Sequence, residues 1–301
     1  MKKITTHVGE KNLSLSNLDK DLYPSFGFTK AHILEYYRRI APYILPHLKD
    51  RALTLKRYPN GAEGDFFFEK RCPGYRPSWI KTADVPQADG DTMTVCLVND
   101  LDSLIWVGNL ASLELHVPMA RASTPGTPDF MVFDLDPGEG VDILECAHVA
   151  FLLRSVLADL KLRSYPKTSG KKGLHVYVPL NNKKVTFDDT RKFSRTVAEV
   201  MQRNYPDNIT AIMAKDMRKG KVFINWAQNG KSNTTVCVYS LRAAPKPTVS
   251  TPLTWDEVDN LAARGDPEGL QFIFSQVIDR ALEHGDLFAD TLQRRQKLPY
   301  L

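Results

Sequence analysis

The segment Met131-Val-Phe-Asp-Leu-Asp-Pro-Gly-Glu-Gly140 constrains this chain more than any other stretch. An apolar run reaches Asp134 and Asp136, two carboxylates separated by one residue, and breaks at Pro137-Gly138. With Val132 to Asp136 as a strand, alternate side chains share a face, so Asp134 and Asp136 point the same way. Carboxylates so placed repel unless a cation sits between them. Hard divalent ions such as Mg²⁺ or Mn²⁺ take such oxygen ligands, with phosphate oxygens and water completing the shell. A solvated turn carrying two surface acids fits the same ten residues, and the rest of the chain has to separate the two readings.

Of 301 residues, 43% are hydrophobic and 25% charged, which is ordinary globular composition and enough for one large domain or two lobes sharing a cleft. Forty Lys and Arg against 35 Asp and Glu give +5, too small a bias to imply nucleic acid without regard to placement. No apolar run approaches the ~20 residues needed to span a bilayer, and the N-terminus lacks a signal-peptide core, so an intracellular protein is expected. Cys72, Cys96, Cys146 and Cys237 are widely spaced without a C-x-x-C pair. That suggests neither a zinc knuckle nor a disulfide framework, and all four are expected to be reduced packing residues.

Helical spacing of Ile33, Tyr36, Tyr37 and Ile40 predicts a helix capped by Thr29, with Lys30 at its start and a turn-rich segment carrying Asn17 and Lys20 before it. Free N–H groups and the helix dipole at such a start favour an anion. Strands are predicted within 52–70 around Pro59-Asn60-Gly61, ending on Phe66-Phe-Phe-Glu-Lys70, then at Thr92–Val98 and Leu113–Val117, with a helix over 101–112 between. Asp142 caps a further helix, and strands follow near 162–165 and at Leu174–Val178, a helix at 188–203, and strands at 222–227 and 234–240. Thr254-Trp-Asp-Glu257 has a capping-box pattern, and Leu270, Ile273, Phe274, Val277, Ile278 and Leu282 form the apolar face of a late helix. The class is α+β, with mixed or antiparallel sheets flanked by helices.

Two more units bear chemistry. In Ser169-Gly-Lys-Lys-Gly-Leu-His175 a Gly-bounded turn offers backbone N–H groups, a hydroxyl and lysine charge to one anion, with His175 on the strand that follows. The Walker spacing is absent. A solvated turn and a satisfied core histidine would fit these residues as well. Lys215 to Asn229 is a basic loop running into Phe223-Ile-Asn-Trp226, where polar Asn225 interrupts an apolar strand, as a core amide or as a residue facing the acidic pair. Arg242 follows, suited to a triphosphate or to a surface acid.

In order and at fitting intervals, VFDLDPGEG (132–140), TSGKKGLHVYVPL (168–180) and KVFINWAQN (221–229) resemble the three signature motifs of the archaeo-eukaryotic primase superfamily. Its DNA-repair branch, the polymerase domain of bacterial ligase D with its stand-alone archaeal relatives, is similar from about Leu13 to Leu287. The resemblance implies a single primase-polymerase catalytic domain over 1–301, two-lobed, with lobes of about 1–120 and 121–290. It implies that Asp134, Asp136 and residue 225 hold two Mn²⁺ or Mg²⁺ ions, and that Ser169, Lys172, His175 and Arg242 grip the triphosphate of an NTP or dNTP. Asn17, Lys20 and Lys30 match a pocket for the 5′-phosphate of a DNA break. Phe67 and Phe68 match aromatics that stack on the template, Lys56 lies in a matching basic strand, and Arg218 in a loop acting at the primer terminus or in synapsis.

The resemblance further implies nucleotide addition at gaps and 3′ overhangs in non-homologous end joining, often with ribonucleotides. A DNA ligase and a Ku-type end-binding protein are the implied partners, and the nucleoid-associated cytoplasm of a prokaryote the location; apart from the resemblance, the expectation is a monomer in solution that dimerises only across two DNA ends. One position departs: the family's usual Asp is Asn225 here, a neutral and weaker ligand. Impaired catalysis, or a catalytically silent module that binds and bridges DNA ends, is the expectation attached to that residue.

Overall fold

Side-chain alternation in one strand decides how the second of two units is built. The computed structural model describes residues 3–87 and 90–300. Met1–Pro125, Thr234–Ser250 and Ile273–Asp286 form the first unit, and Gly126–Asn233, Thr251–Phe272 and Leu287–Leu301 the second.

In the second unit the acidic strand, Phe130–Pro137, is central to a five-stranded sheet. Leu174–Pro179 lies on one side of it, with Tyr165–Thr168 beyond; Val222–Asn225 lies on the other, with Ile209–Thr210 beyond. All pairs are antiparallel except the last, which is parallel. Met131, Phe133 and Leu135 join Leu174, Val176 and Val178 and also Val222 and Ile224 in one buried cluster. Cys146, Ala147, Ala150, Leu153 and Leu157 of the helix Ile143–Asp159 complete it, with Phe193, Val197 and Met201 of Phe187–Asn204. Each large aliphatic or aromatic side chain so buried contributes about 1.5–3 kcal/mol, which commits the register. The alternate residues, Asp134 and Asp136 among them, are thereby turned away from this core.

Caps sit where the sequence places them. Asp142 accepts from the Leu144 N–H at 2.6 Å while Glu145 accepts from the Asp142 N–H, and Thr254 and Glu257 reciprocate in the same way before Trp255–Arg264. In the first unit, Thr29 precedes the helix Lys30–Leu48, with the His32 ring accepting from the Thr29 N–H. That helix buries Ile33, Tyr36, Tyr37, Ile40 and Ile44. It packs on Leu101–Asn109, where a side chain at Gly108 would meet Tyr37 and Leu34. The antiparallel sheet of this unit runs Thr234–Val236, Ser112–Pro118, Thr54–Arg57, Phe67–Glu69, leaving the aromatic strand at the edge.

Several expectations are corrected. Cys72 and Cys96, 24 positions apart, are disulfide-bonded, whereas Cys146 and Cys237 are free and buried. The Cys72 N–H donates to the Thr94 carbonyl, which lays residue 72 against the Thr92–Cys96 strand, a proximity no linear spacing reveals. The strand predicted near 162–165 lies at Tyr165–Thr168, and that predicted over 222–227 stops at Asn225, where Trp226–Asn229 coils into a 3₁₀ turn. There the buried Asn229 amide accepts from the Val132 N–H and donates to the Val132 carbonyl, both at 2.8 Å, replacing the missing strand partner. The late helix is Phe274–His284; Leu270 falls in a separate turn and Leu282 is 66% exposed, its inward place taken by Ala281. The hairpin Lys3–Val8/Lys11–Ser16 and the strand Thr82–Pro86 are found only in the fold, although buried Leu13 and Leu15 alternate with Asn12, Ser14 and Ser16 along the second hairpin strand. No helix among the described residues is long and apolar enough to cross a membrane.

Candidate functional site

Register brings two of the sequence motifs to the side chain of Asp134. Its cross-strand partner on one side is His175 and on the other Asn225. His175 Nε2 lies 3.2 Å from Asp134 Oδ1, and Asn225 Nδ2 donates to Asp134 Oδ2 at 3.3 Å. Burial opposes ionisation of Asp134, but charge and hydrogen bonding from His175, the Asn225 amide and the charge of Lys167 hold its carboxyl below the ordinary carboxylate range. Asp136 follows on the same face, opposite Phe223.

The row continues to Lys167, which the sequence reading passed over. It is the cross-strand partner of His175, fully buried, with Nζ 3.0 Å from His175 Nδ1. The available signal was a lysine in the strand Tyr165–Thr168, two residues ahead of the Ser169 turn.

That turn is built by its glycines. Gly170 adopts φ 74°, and Ser169 Oγ accepts from the N–H groups of Lys171 and Gly173 at 3.2 and 3.1 Å. A Cβ on Gly173 would collide with the Leu135 carbonyl oxygen, so glycine lets the turn lie directly on the acidic strand. Lys172 is exposed on it. Gly138 plays the same part for the basic loop: a Cβ there would collide with the Arg218 carbonyl oxygen, and its N–H donates to Lys221 O at 2.9 Å. Arg218 stacks on Phe223, with Cζ 3.7 Å from the ring centroid, and donates to Met213 O. The end of the acidic strand, the Ser169 turn and the loop before Asn225 therefore meet within one unit.

The other predicted residues lie in the first unit. Asn17, at φ 54°, opens a turn pinned to the helix start, where the Lys30 N–H donates to Lys20 O and the Ala31 N–H to Leu18 O. Lys20 is exposed, within 3.5 Å of Asn60 Oδ1. Lys30 is buried, and its ammonium donates to Ser16 O and Asn109 O, each at 2.7 Å, and to Asn109 Oδ1 at 3.2 Å. Burial, with Lys20 and Arg57 nearby, lowers its pKa to about 8. The Lys30 ammonium is thus held between Ser16 and Asn109 rather than being a mobile donor.

From Thr54–Arg57, the neighbour of the edge strand, Lys56 Nζ sits 3.7 Å from the Phe66 centroid and 5.7 Å from that of Phe68, while Arg57 covers Phe67 at 5.0 Å. Phe66, Phe67 and Phe68 remain 48%, 44% and 57% exposed. Arg242 lies beside buried Glu114, Nε to Oε1 3.5 Å, in the first unit.

Among the described residues no three His, Cys, Asp or Glu side chains group into a metal cage. What the strand end provides is two carboxylates on one face with an amide beside them, an oxygen-rich set that suits a hard divalent ion though with one anion fewer than three carboxylates would give.

The chain has clear relatives. It is 42% identical over 281 residues to the multifunctional non-homologous end joining protein LigD of Mycolicibacterium smegmatis, covering 93% of this chain and 36% of that protein. With the bifunctional non-homologous end joining protein LigD of Bacillus subtilis it is 32% identical, covering 95% of this chain and 45% of that one. The chain thus spans less than half the length of these relatives. The solved polymerase domain of Mycobacterium tuberculosis ligase D, in complex with DNA, superposes with TM-score 0.87 at 39% identity, covering 94% of this chain and 99% of that one. The sequence model described as LigD, primase-polymerase domain, matches residues 29–288. The chain belongs to the LigD primase-polymerase domain family.

Proposed function

We propose that this chain is a DNA-directed nucleotidyltransferase that adds ribo- or deoxynucleotides to primer 3′ ends at gaps and double-strand breaks in non-homologous end joining. The observation that carries the reading is the register row in which His175 and Asn225 flank Asp134, with Asp136 on the same face. Asp134 and Asp136 would hold two Mn²⁺ or Mg²⁺ ions, which when bound neutralise triphosphate charge and favour the ionised 3′-hydroxyl. His175 offers an N–H at the edge of that site, and Lys172 on the Ser169 turn contributes charge to the triphosphate. These fixed groups stabilise charge developing in the transition state, so no protein nucleophile is required. Arg242 is the expected further triphosphate contact.

In the first unit, Asn17, Lys20 and the charge of Lys30 serve a 5′-phosphate, and the Phe67–Phe68 edge, supported by Lys56, serves an unpaired template. Stacking on such rings is worth about 1–3 kcal/mol per base. Arg218 acts at the primer terminus. A ligase activity and a Ku-type protein are the partners proposed, with a monomeric chain working on the nucleoid of a prokaryotic cell.

Asn225 favours a second reading. Its amide cannot supply the anionic charge of the usual Asp, which weakens the site that prepares the 3′-hydroxyl while leaving DNA binding intact. A silent end-binding or bridging module is the result if that loss is complete. The deciding experiment uses a gapped duplex with a downstream 5′-phosphate, Mn²⁺ and labelled nucleotides. Extension supports the polymerase, and tight binding without extension the silent module. Absence of binding with or without the 5′-phosphate would refute both.

A further inference from the structure

Four side chains, Lys167, His175, Asp134 and Asn225, stand in cross-strand register across four adjacent strands. We propose that Lys167 is a positioning residue that fixes the tautomer and orientation of His175, so that the imidazole presents Nε2–H toward the acidic site and the triphosphate. The proposal rests on the nucleotide-binding reading of that site.

The argument begins with burial. Lys167 is 0% exposed, and an ammonium taken out of water must be hydrogen-bonded. Its Nζ lies 3.0 Å from His175 Nδ1 and 5.4 Å from the Tyr177 ring centroid. An ammonium can only donate, so Nδ1 must be the bare, accepting nitrogen. At the opposite edge of the ring, Nε2 faces Asp134 Oδ1 at 3.2 Å. An ionised carboxylate can only accept, so Nε2 must carry the hydrogen. Both neighbours select one tautomer. A flip of the ring would exchange Nδ1 for Cδ2 and cost the ammonium this acceptor.

The backbone makes this arrangement rigid. Thr168, next to Lys167, receives a hydrogen bond from the Thr251 N–H at Oγ1 and donates its own N–H to Thr251 O. Two residues past His175 on its own strand, the ring of Tyr177 stacks on Phe130 with centroids 4.7 Å apart. A phosphate oxygen, like the carboxylate, only accepts. A histidine held with Nε2–H outward is therefore prepared for a triphosphate before one arrives, and no ordering cost falls on binding. Lys167 does not need to reach the nucleotide to matter to it.

The test reads the imidazole directly. In protein with ¹⁵N-labelled histidine, free of nucleotide and metal, long-range ¹H–¹⁵N spectra should show His175 with a bare Nδ1 and a protonated Nε2. Lys167→Met removes the donor and keeps the stem, and should give averaged nitrogen shifts. It should also weaken binding of a non-hydrolysable nucleoside triphosphate with Mg²⁺ by about ten- to a hundredfold, the range for losing one charge-assisted hydrogen bond. Lys167→Gln, whose amide can still donate, should recover part of both and serves where the Met variant does not fold. A protonated Nδ1 in the unaltered protein overturns the proposal, as do unchanged shifts or unchanged triphosphate affinity in the folded variants. Failure of the unaltered protein to bind triphosphate would instead overturn the reading of the site, with the histidine spectra still reporting on Lys167.

Discussion

Asn225 and Asp134 are direct cross-strand partners, and the amide donates to the carboxylate at 3.3 Å. An amide there satisfies Asp134 without metal, whereas a second carboxylate would repel it. Asn225→Asp is therefore expected to lower stability in metal-free buffer by about 1–3 kcal/mol, the range for a buried polar group deprived of its partner. Saturating Mn²⁺ should restore the loss, since a ligand at a hundred times its Kd adds about 2.7 kcal/mol. Nucleotide addition should rise by about a hundredfold or more, equivalent to about 2.7 kcal/mol of barrier. Thermal melts with and without Mn²⁺, beside primer extension, check both; equal activity in the two forms would refute residue 225 as a metal ligand.

With Lys30 serving a 5′-phosphate as proposed, recognition of that phosphate is expected to depend on pH. Its pKa is lowered to about 8 by burial, then by Lys20 and Arg57. The phosphate is already largely dianionic above pH 7, its second pKa being about 6, so a change near pH 8 belongs to the protein. Preference for a 5′-phosphorylated gap over an unphosphorylated one should be full at pH 7 and decline as pH rises through about 8, phosphate binding itself drawing the midpoint upward. The sign for stability is opposite. Because the folded pKa lies below the unfolded value of about 10.4, the unfolded chain holds more protons between the two, and Lys30's contribution to stability rises with pH across that window. Fluorescence anisotropy of the two duplexes from pH 6.5 to 9.5 measures the first effect, and Lys30→Met should flatten the profile.

Phe68 is 57% exposed and Lys56 is held mainly over Phe66. Phe68→Ala should leave stability within about 0.5 kcal/mol, as surface changes do, while weakening binding to a single-stranded template overhang by about 1–3 kcal/mol. Urea denaturation and anisotropy on blunt and overhanging duplexes separate the two quantities. A fully duplexed substrate without overhang should be bound unchanged.

The Cys72–Cys96 bond closes an interval of 24 residues in the first unit. Chain-entropy reasoning assigns a loop of that length about 3 kcal/mol. Reductant should therefore lower the urea midpoint of the protein, and Cys72→Ser should match the reduced form whether or not reductant is present. No difference between reduced and oxidised protein would mean that the native contacts around Thr94 hold the segment without the bond.

Much of the site could be read from the chain itself because its rules are local. Alternation places Asp134 and Asp136 on one face of any strand, caps at Thr29, Asp142 and Thr254 start helices wherever those helices end up, and glycines at 138, 170 and 173 announce tight approaches. The order of three motifs carried the family. Tertiary structure alone decided what stands beside what. Lys167 acquires meaning only as the register partner of His175, Lys30 only because Ser16 and Asn109 enclose its ammonium, and Cys72 only because a hairpin carries Cys96 to it. Arg242 likewise lies beside Glu114 because residues 234–250 return to the first unit. Such pairings are set by strand register and burial between segments far apart in sequence, and a one-residue slip would exchange every partner.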